Sequence, residues 1–174
     1  RAMNTTFAPV VVFAYNRPLH LQRTLDALAG CRLAAQSEVH VFADGPKKPA
    51  AAAAVAEVRD VLAREAGAGR FAAFHVHASD VNLGLANSII RGVGQVIAKH
   101  DRVIVLEDDL LVSADFLEFM NDCLAFYQDD PSVGAVTGFC PLQTMPEGCA
   151  DDVFLVYRNS SQGWGTWGRV WNAV

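Results

Sequence analysis

The run Pro9 to Tyr15, PVVVFAY, carries no charge and is apolar at nearly every position, so neither face of the strand it forms can sit in water. A strand buried on both faces needs helices above and below it. The rest of the chain supplies them in alternation. Leu21, Leu25 and Leu28 fall at helical spacing within Leu19 to Leu28. Val39 to Ala43 reads as a second strand, stopped by the turn signal Asp44-Gly45-Pro46. The alanine-rich stretch Ala50 to Ala66 reads as a helix ended by Gly67 and Gly69. Phe71 to Ala78 is a third strand, Leu85 to Lys99 a helix despite Gly92 and Gly94, and Val103 to Leu106 a fourth strand. Ala114 to Tyr127 repeats the helical pattern, with Ser113 as its N-cap. Val133 to Thr137 and Val153 to Tyr157 read as further short strands, with a loop over Pro141 to Asp152 between them. Strand–helix alternation of this kind predicts one α/β domain over 1–174. Its expected form is a three-layer α/β/α sandwich with a mostly parallel central sheet and right-handed crossovers.

Bulk composition narrows the function classes. With 174 residues and 52% hydrophobic residues, the chain has enough apolar side chain for one real core. Net charge is -5 and the basic residues are scattered, Lys47-Lys48 being the only doublet, which argues against a general nucleic-acid binder. No apolar run reaches the roughly 18 to 20 residues of a membrane-spanning helix, and Arg1 to Thr6 lacks the apolar core of a signal peptide. The expectation is a cytoplasmic protein, with peripheral membrane association left open. Cys31, Cys123, Cys140 and Cys149 form no CxxC pair, so a cysteine zinc site is not expected. Cys123 reads as a buried thiol, and Cys140 with Cys149 as a loop bridge only in an oxidising compartment. His20, His40, His75, His77 and His100 make no i, i+4 ligand pair on a helix; His75 and His77 share a strand face and read as structural or surface residues.

In a parallel sheet the carboxyl ends of the strands gather at one edge, where ligands bind. Three strands here end in polar residues. The first runs into Tyr15-Asn16-Arg17-Pro18, the second into Asp44-Gly45-Pro46, and the fourth into Glu107-Asp108-Asp109. Carboxylates avoid burial unless paired or bound to metal. The acidic triplet can act as an N-terminal charge for the next helix, a reading it fits poorly because Leu110-Leu111-Val112 stand between them. Asp108 and Asp109 therefore read as holding a hard divalent cation, Mn²⁺ or Mg²⁺, against a diphosphate. Arg17 can contact a phosphate or simply lead into a helix; Asp44 can accept a base or sugar hydrogen bond or simply make a turn. Asn82-Leu83-Gly84 opens the third helix, either as a cap or as an anion-binding amide cluster. Gly92-Val93-Gly94 lies inside a helix, so it is no dinucleotide fingerprint, and no GxxxxGK[ST] loop is present.

The ordered set PVVVFAYNRP, VFADGP, NLGLANSII, VIVLEDDLLVSADFLEFM and GWGTWGRVW resembles a bacterial family-2-like glycosyltransferase of the GT-A fold. The EDD segment also resembles that of the N-acetylglucosaminyltransferase that starts complex N-glycans. The resemblance implies a nucleotide-diphosphate sugar donor, UDP-linked by family habit, and Mn²⁺ or Mg²⁺. It implies metal binding by Asp109, and donor contacts from Tyr15, Arg17, Asp44, Asn82, Gly84, Glu107 and Asp108. It implies an inverting transfer to a glycan, lipid-linked or surface polysaccharide acceptor. In that family an acceptor-side half usually follows the Trp-rich segment and often supplies the catalytic base. This chain stops at Val174, so that half is expected to be missing and the base is unassigned, with Asp151 and Asp152 as the only nearby substitutes. Gly163 to Trp167 either lines the sugar cleft or packs as core. Two rival readings remain: a sugar-phosphate nucleotidyltransferase, which Asn16-Arg17-Pro18 fits poorly for want of a glycine-rich basic loop, and a nucleotide-sugar-binding fragment without catalysis.

Overall fold

The computed structural model describes residues 7–140, 144, 147, 148 and 153–173. Among them lie six strands: β1 Val10–Ala14, β2 Glu38–Ala43, β3 Ala73–Ala78, β4 Arg102–Glu107, β5 Val136–Thr137 and β6 Trp164–Trp167. The helices are α1 Pro18–Ala29, α2 Ala52–Ala68, α3 Leu85–His100, α4 Phe116–Phe126 and the single turn α5 Gly168–Trp171. The sheet order is β3-β2-β1-β4-β6-β5. β3, β2, β1 and β4 run parallel, whereas β6 is antiparallel to both β4 and β5. The expected α/β architecture with a mostly parallel sheet is what the chain adopts.

All five residues of β1 are buried, as its unbroken apolar run requires. Val10, Val12 and Ala14 point into one core with α1, α2 and α4, and Val11 and Phe13 into a second core with α3. Pro18 opens α1, where a missing N–H costs nothing. Gly69 ends α2 at φ 65°, the left-handed cap that favours glycine. Gly92 explains a glycine inside α3: a Cβ there would stand 2.8 Å from the Phe13 ring, so the bare backbone lets the helix settle onto the sheet.

Several local expectations need correction. Ser113 is not the N-cap of α4; its hydroxyl bonds the carboxylate of Asp115, which holds the cap position without a side-chain cap bond. β5 has two residues rather than five, because Gly134 leaves the ladder and its carbonyl accepts from Thr166 Oγ1 at 2.8 Å. Val153–Tyr157 forms no strand; these apolar side chains are exposed and no partner strand flanks them. The Trp-rich segment, left unassigned from sequence, is β6. Trp167 is buried core, its Nε1 donating to the Leu124 carbonyl at 2.9 Å, while Trp164 stacks on Trp171. Cys123 is a buried free thiol as expected. Cys149, Asp151 and Asp152, and with them the loop bridge and the substitute bases, lie outside the described residues.

After β3 the chain crosses back to lay β4 on the other side of β1. The strand order therefore reverses between β1 and β4, and a crevice opens at their carboxyl ends.

Candidate functional site

Register sets which side chains meet at that crevice. Phe13 pairs with Glu107, and Ala14 with Ala43. One step further along, Tyr15, Asp44 and Asp108 leave their strands side by side. A cavity of ≈ 470 Å³ lies there, and Tyr15, Arg17, Asp44, Asn82, Gly84, Glu107 and Asp108 all line it. Asp109 is outside the lining and joined to it through Arg17, whose Nη1 donates to its Oδ2 at 2.9 Å.

Arg17 is the centre of the acidic cluster. It forms ion pairs with both Asp108 and Asp109. Asp108 is 2% exposed and also accepts from the Tyr15 amide at 3.3 Å. Burial lifts the Asp108 carboxyl above its usual range, and the pull of Arg17 offsets only part of that. Burial works against the charge on Arg17, yet the two aspartates outweigh it and raise its pKa. Glu107 is also lifted, first by burial and then by repulsion from Asp109 and Asp108. Three carboxylates thus share one guanidinium, and negative charge remains in excess at the rim. The donors are hard oxygens, and the Asp109 side chain is 40% exposed, within reach of an ion from solvent. This set fits Mn²⁺ or Mg²⁺.

Asp44 anchors the opposite wall. Its Oδ1 accepts from the Gly45 amide at 3.0 Å and the Leu83 amide at 2.8 Å. Its Oδ2 accepts from Asn82 Nδ2 and the Gly84 amide, each at 2.9 Å. A carboxylate offers about four lone-pair sites, and all are taken. Asp44 therefore clamps the β2 loop to the start of α3, and a base or ribose hydrogen bond to it requires one of these donors to yield.

Gly45 was expected only as a turn residue. It is also a close-approach residue: a Cβ would stand 2.7 Å from the backbone carbons of Asp80 and Val81. Backbone cannot swing aside as a side-chain tip can. Gly45→Ala is expected to destabilise the protein by about 1–3 kcal/mol through overpacking. It should also displace Asn82, which bonds the Gly45 carbonyl at 2.9 Å. Urea unfolding checks the first effect; an unchanged midpoint would show that the two loops part easily.

Sequence reasoning missed several lining residues. Phe13 and Phe42 stack at 5.7 Å and give the cavity an apolar side. Lys47 and Ser88 also line it, and the Lys47 amide donates to Tyr15 Oη at 3.0 Å. The signal was faint but present: Lys47 follows Asp44 by three residues, and Ser88 lies one turn beyond Gly84.

No protein-family model matches the chain, and no curated protein sequence matches it. Solved structures do. The mannosyltransferase PcManGT from Pyrobaculum calidifontis, in complex with GDP-Man and Mn²⁺, superposes at a TM-score of 0.52 with 20% identity, over 76% of this chain and 36% of that one. S. aureus TarS 1-349 in complex with UDP superposes at 0.55 with 16% identity, over 75% of this chain and 34% of that one. The chain spans about a third of the length of these neighbours. At such identities the likeness is one of fold, and the fold is the GT-A architecture of glycosyltransferases.

Proposed function

We propose that this chain binds a nucleotide-diphosphate sugar and a divalent cation at the β1–β4 crevice, as the donor side of an inverting glycosyltransferase. The observation that carries the reading is convergence: seven residues from the ends of four strands and the loops after them line one cavity beside an under-neutralised acidic triplet. The fold neighbours support it, since one was solved with GDP-Man and Mn²⁺ and another with UDP. Asp109, with Asp108 and Glu107 behind it, would hold the cation, which supplies Lewis-acid charge neutralisation for the departing diphosphate. Arg17 would exchange a carboxylate for a phosphate oxygen, a swap its bidentate geometry allows. Asn82 and the Gly84 amide, fixed by Asp44, would flank the nucleoside, and Phe13 and Phe42 would give its base or ribose an apolar wall. UDP is the favoured nucleotide. The acceptor would be a glycan, a lipid-linked sugar or a surface polysaccharide, reached at the cytoplasmic side of a membrane. No helix among the described residues is long and apolar enough to cross one.

A thermal-shift panel of nucleotide sugars with and without Mn²⁺ tests this reading, because a ligand of the folded state raises Tm. The expected result is a rise with a nucleotide-diphosphate sugar that depends on the metal. Pyrophosphate release from a nucleoside triphosphate and a sugar phosphate would favour a nucleotidyltransferase instead.

Protonation sets a pH dependence. Glu107 and Asp108 have raised pKa values, so they take up protons at a higher pH than ordinary carboxyls and then bind cations poorly. Metal-dependent nucleotide affinity is therefore expected to fall as pH drops from neutrality into the acid range, beginning above the usual carboxylate window. Calorimetry across that range checks this; a flat profile down to pH about 4 would contradict it.

A further inference from the structure

Four of the five histidines gather on the β2–β3 side of the sheet, away from the acidic triplet at the end of β4. Glu38, His40, His75 and His77 lie on one face of β2 and β3, because the register pairs His40 with His75 and Phe42 with His77. The fourth histidine, His100, ends α3. That helix packs on β1 and β4 and leaves much of this face open. The His40 and His75 rings stack at 4.5 Å, and both turn Nε2 toward one oxygen. Glu38 Oε1 stands 3.1 Å from His40 Nε2 and 2.9 Å from His75 Nε2. His100 Nε2 lies 3.9 Å from the other carboxylate oxygen.

We propose that Glu38, His40 and His75 form a binding site for a borderline transition-metal ion, zinc first among them, separate from the acidic cluster at the carboxyl edge. The three ligand atoms lie within 4.8 Å of one another. Metal–nitrogen bonds of about 2.0–2.1 Å place neighbouring ligands of a tetrahedral ion about 3.3 Å apart. The two carboxylate–imidazole pairs, at 2.9 and 3.1 Å, need to open by only a few tenths of an ångström, and the two imidazole nitrogens lie within 4.8 Å of each other. Two imidazoles and one carboxylate suit zinc, cobalt or nickel better than the Mn²⁺ or Mg²⁺ that fits the all-oxygen triplet. His40 also has an orienting partner, since its Nδ1 faces His77 Nε2 at 3.1 Å. With Nε2 on the metal, Nδ1 carries the proton and donates to His77, which fixes ring and tautomer together. The His75 side chain is 45% exposed, so the ion can enter from solvent and keep a fourth position for water. Its effect would be to tie the edge strand β3 to β2 on the face that α3 leaves largely open.

The test uses untagged, metal-stripped protein titrated with ZnCl₂ by calorimetry, with Co²⁺ visible absorption as a geometry readout. One zinc equivalent and an intense tetrahedral Co²⁺ band are expected. His75→Ala and Glu38→Gln should each weaken zinc binding more than tenfold, because each removes a ligand. His20→Ala, on an exposed position of α1, should leave it unchanged. In an Asp109→Ala background, which removes zinc held by the acidic triplet, the tight zinc equivalent should persist and still be lost with His75→Ala, which separates this site from the proposed donor site. Wild-type zinc affinity retained in either His75→Ala or Glu38→Gln would overturn the assignment, as would the absence of any zinc heat. His75 is partly exposed, so its variant is expected to fold; if it does not, Glu38→Gln decides alone.

Discussion

Asp44→Ala is expected to lower stability by about 3 kcal/mol, since its carboxylate serves several donors and hydrogen bonds to charged groups are worth about 1.5–3 kcal/mol each. The residue is 7% exposed, so water cannot readily replace the lost oxygens. The Leu83 and Gly84 amides and the Asn82 side chain would lose their acceptor together. For a chain of this size the loss corresponds to a Tm drop of about 6–12 °C. Asp44→Asn should cost less, because its remaining oxygen still serves the Gly45 and Leu83 amides. Nucleotide affinity should fall in both variants as the Asn82–Gly84 wall loosens. If urea titration puts Asp44→Ala within about 0.5 kcal/mol of wild type, the clamp does not hold the loops together.

Asp109→Ala is expected to act in the opposite way, leaving the fold intact and removing metal-dependent binding. Its side chain is 40% exposed and pairs with Arg17, which keeps Asp108 after the change. Outer-shell substitutions at metal sites cost about 10–100-fold in affinity, so loss of a direct ligand should exceed about 100-fold. Asp108→Ala would confuse the two effects, because it strips a buried partner from Arg17 and an acceptor from the Tyr15 amide. The contrast between Asp44 and Asp109 is therefore the sharper comparison: one variant unfolds more easily, and the other folds but does not bind. Calorimetry with Mn²⁺ and a nucleoside diphosphate, beside circular dichroism, reads both outcomes.

The central strands β1 and β4 were legible in the sequence because burial on both faces leaves an unbroken apolar run, VVVFA and VIVL, whereas β2 showed itself by alternation. The polar residues following those strands were legible for the same reason, since their chemistry changes abruptly where the core ends. β6 was not. Trp164-Gly165-Thr166-Trp167 has no period, and Gly165 is required by close packing: a Cβ there would stand 3.0 Å from the Val103 carbonyl oxygen. The saturation of Asp44 was also hidden, because a turn and a four-donor clamp share the letters Asp-Gly-Pro. The histidine cluster depended on register. His40 and His75 are far apart in the chain, and a slip of one residue between β2 and β3 would send them to opposite faces.

The most direct measurement is a crystal structure after soaking with Mn²⁺ and UDP, read by manganese anomalous scattering. An anomalous peak is expected between the Asp109 carboxylate and the two phosphates, with the nucleoside against Asn82 and Gly84 and Arg17 turned from the aspartates to the diphosphate. Nucleotide bound elsewhere, or a cavity that stays empty while Arg17 still clasps Asp108 and Asp109, would contradict the proposed donor site.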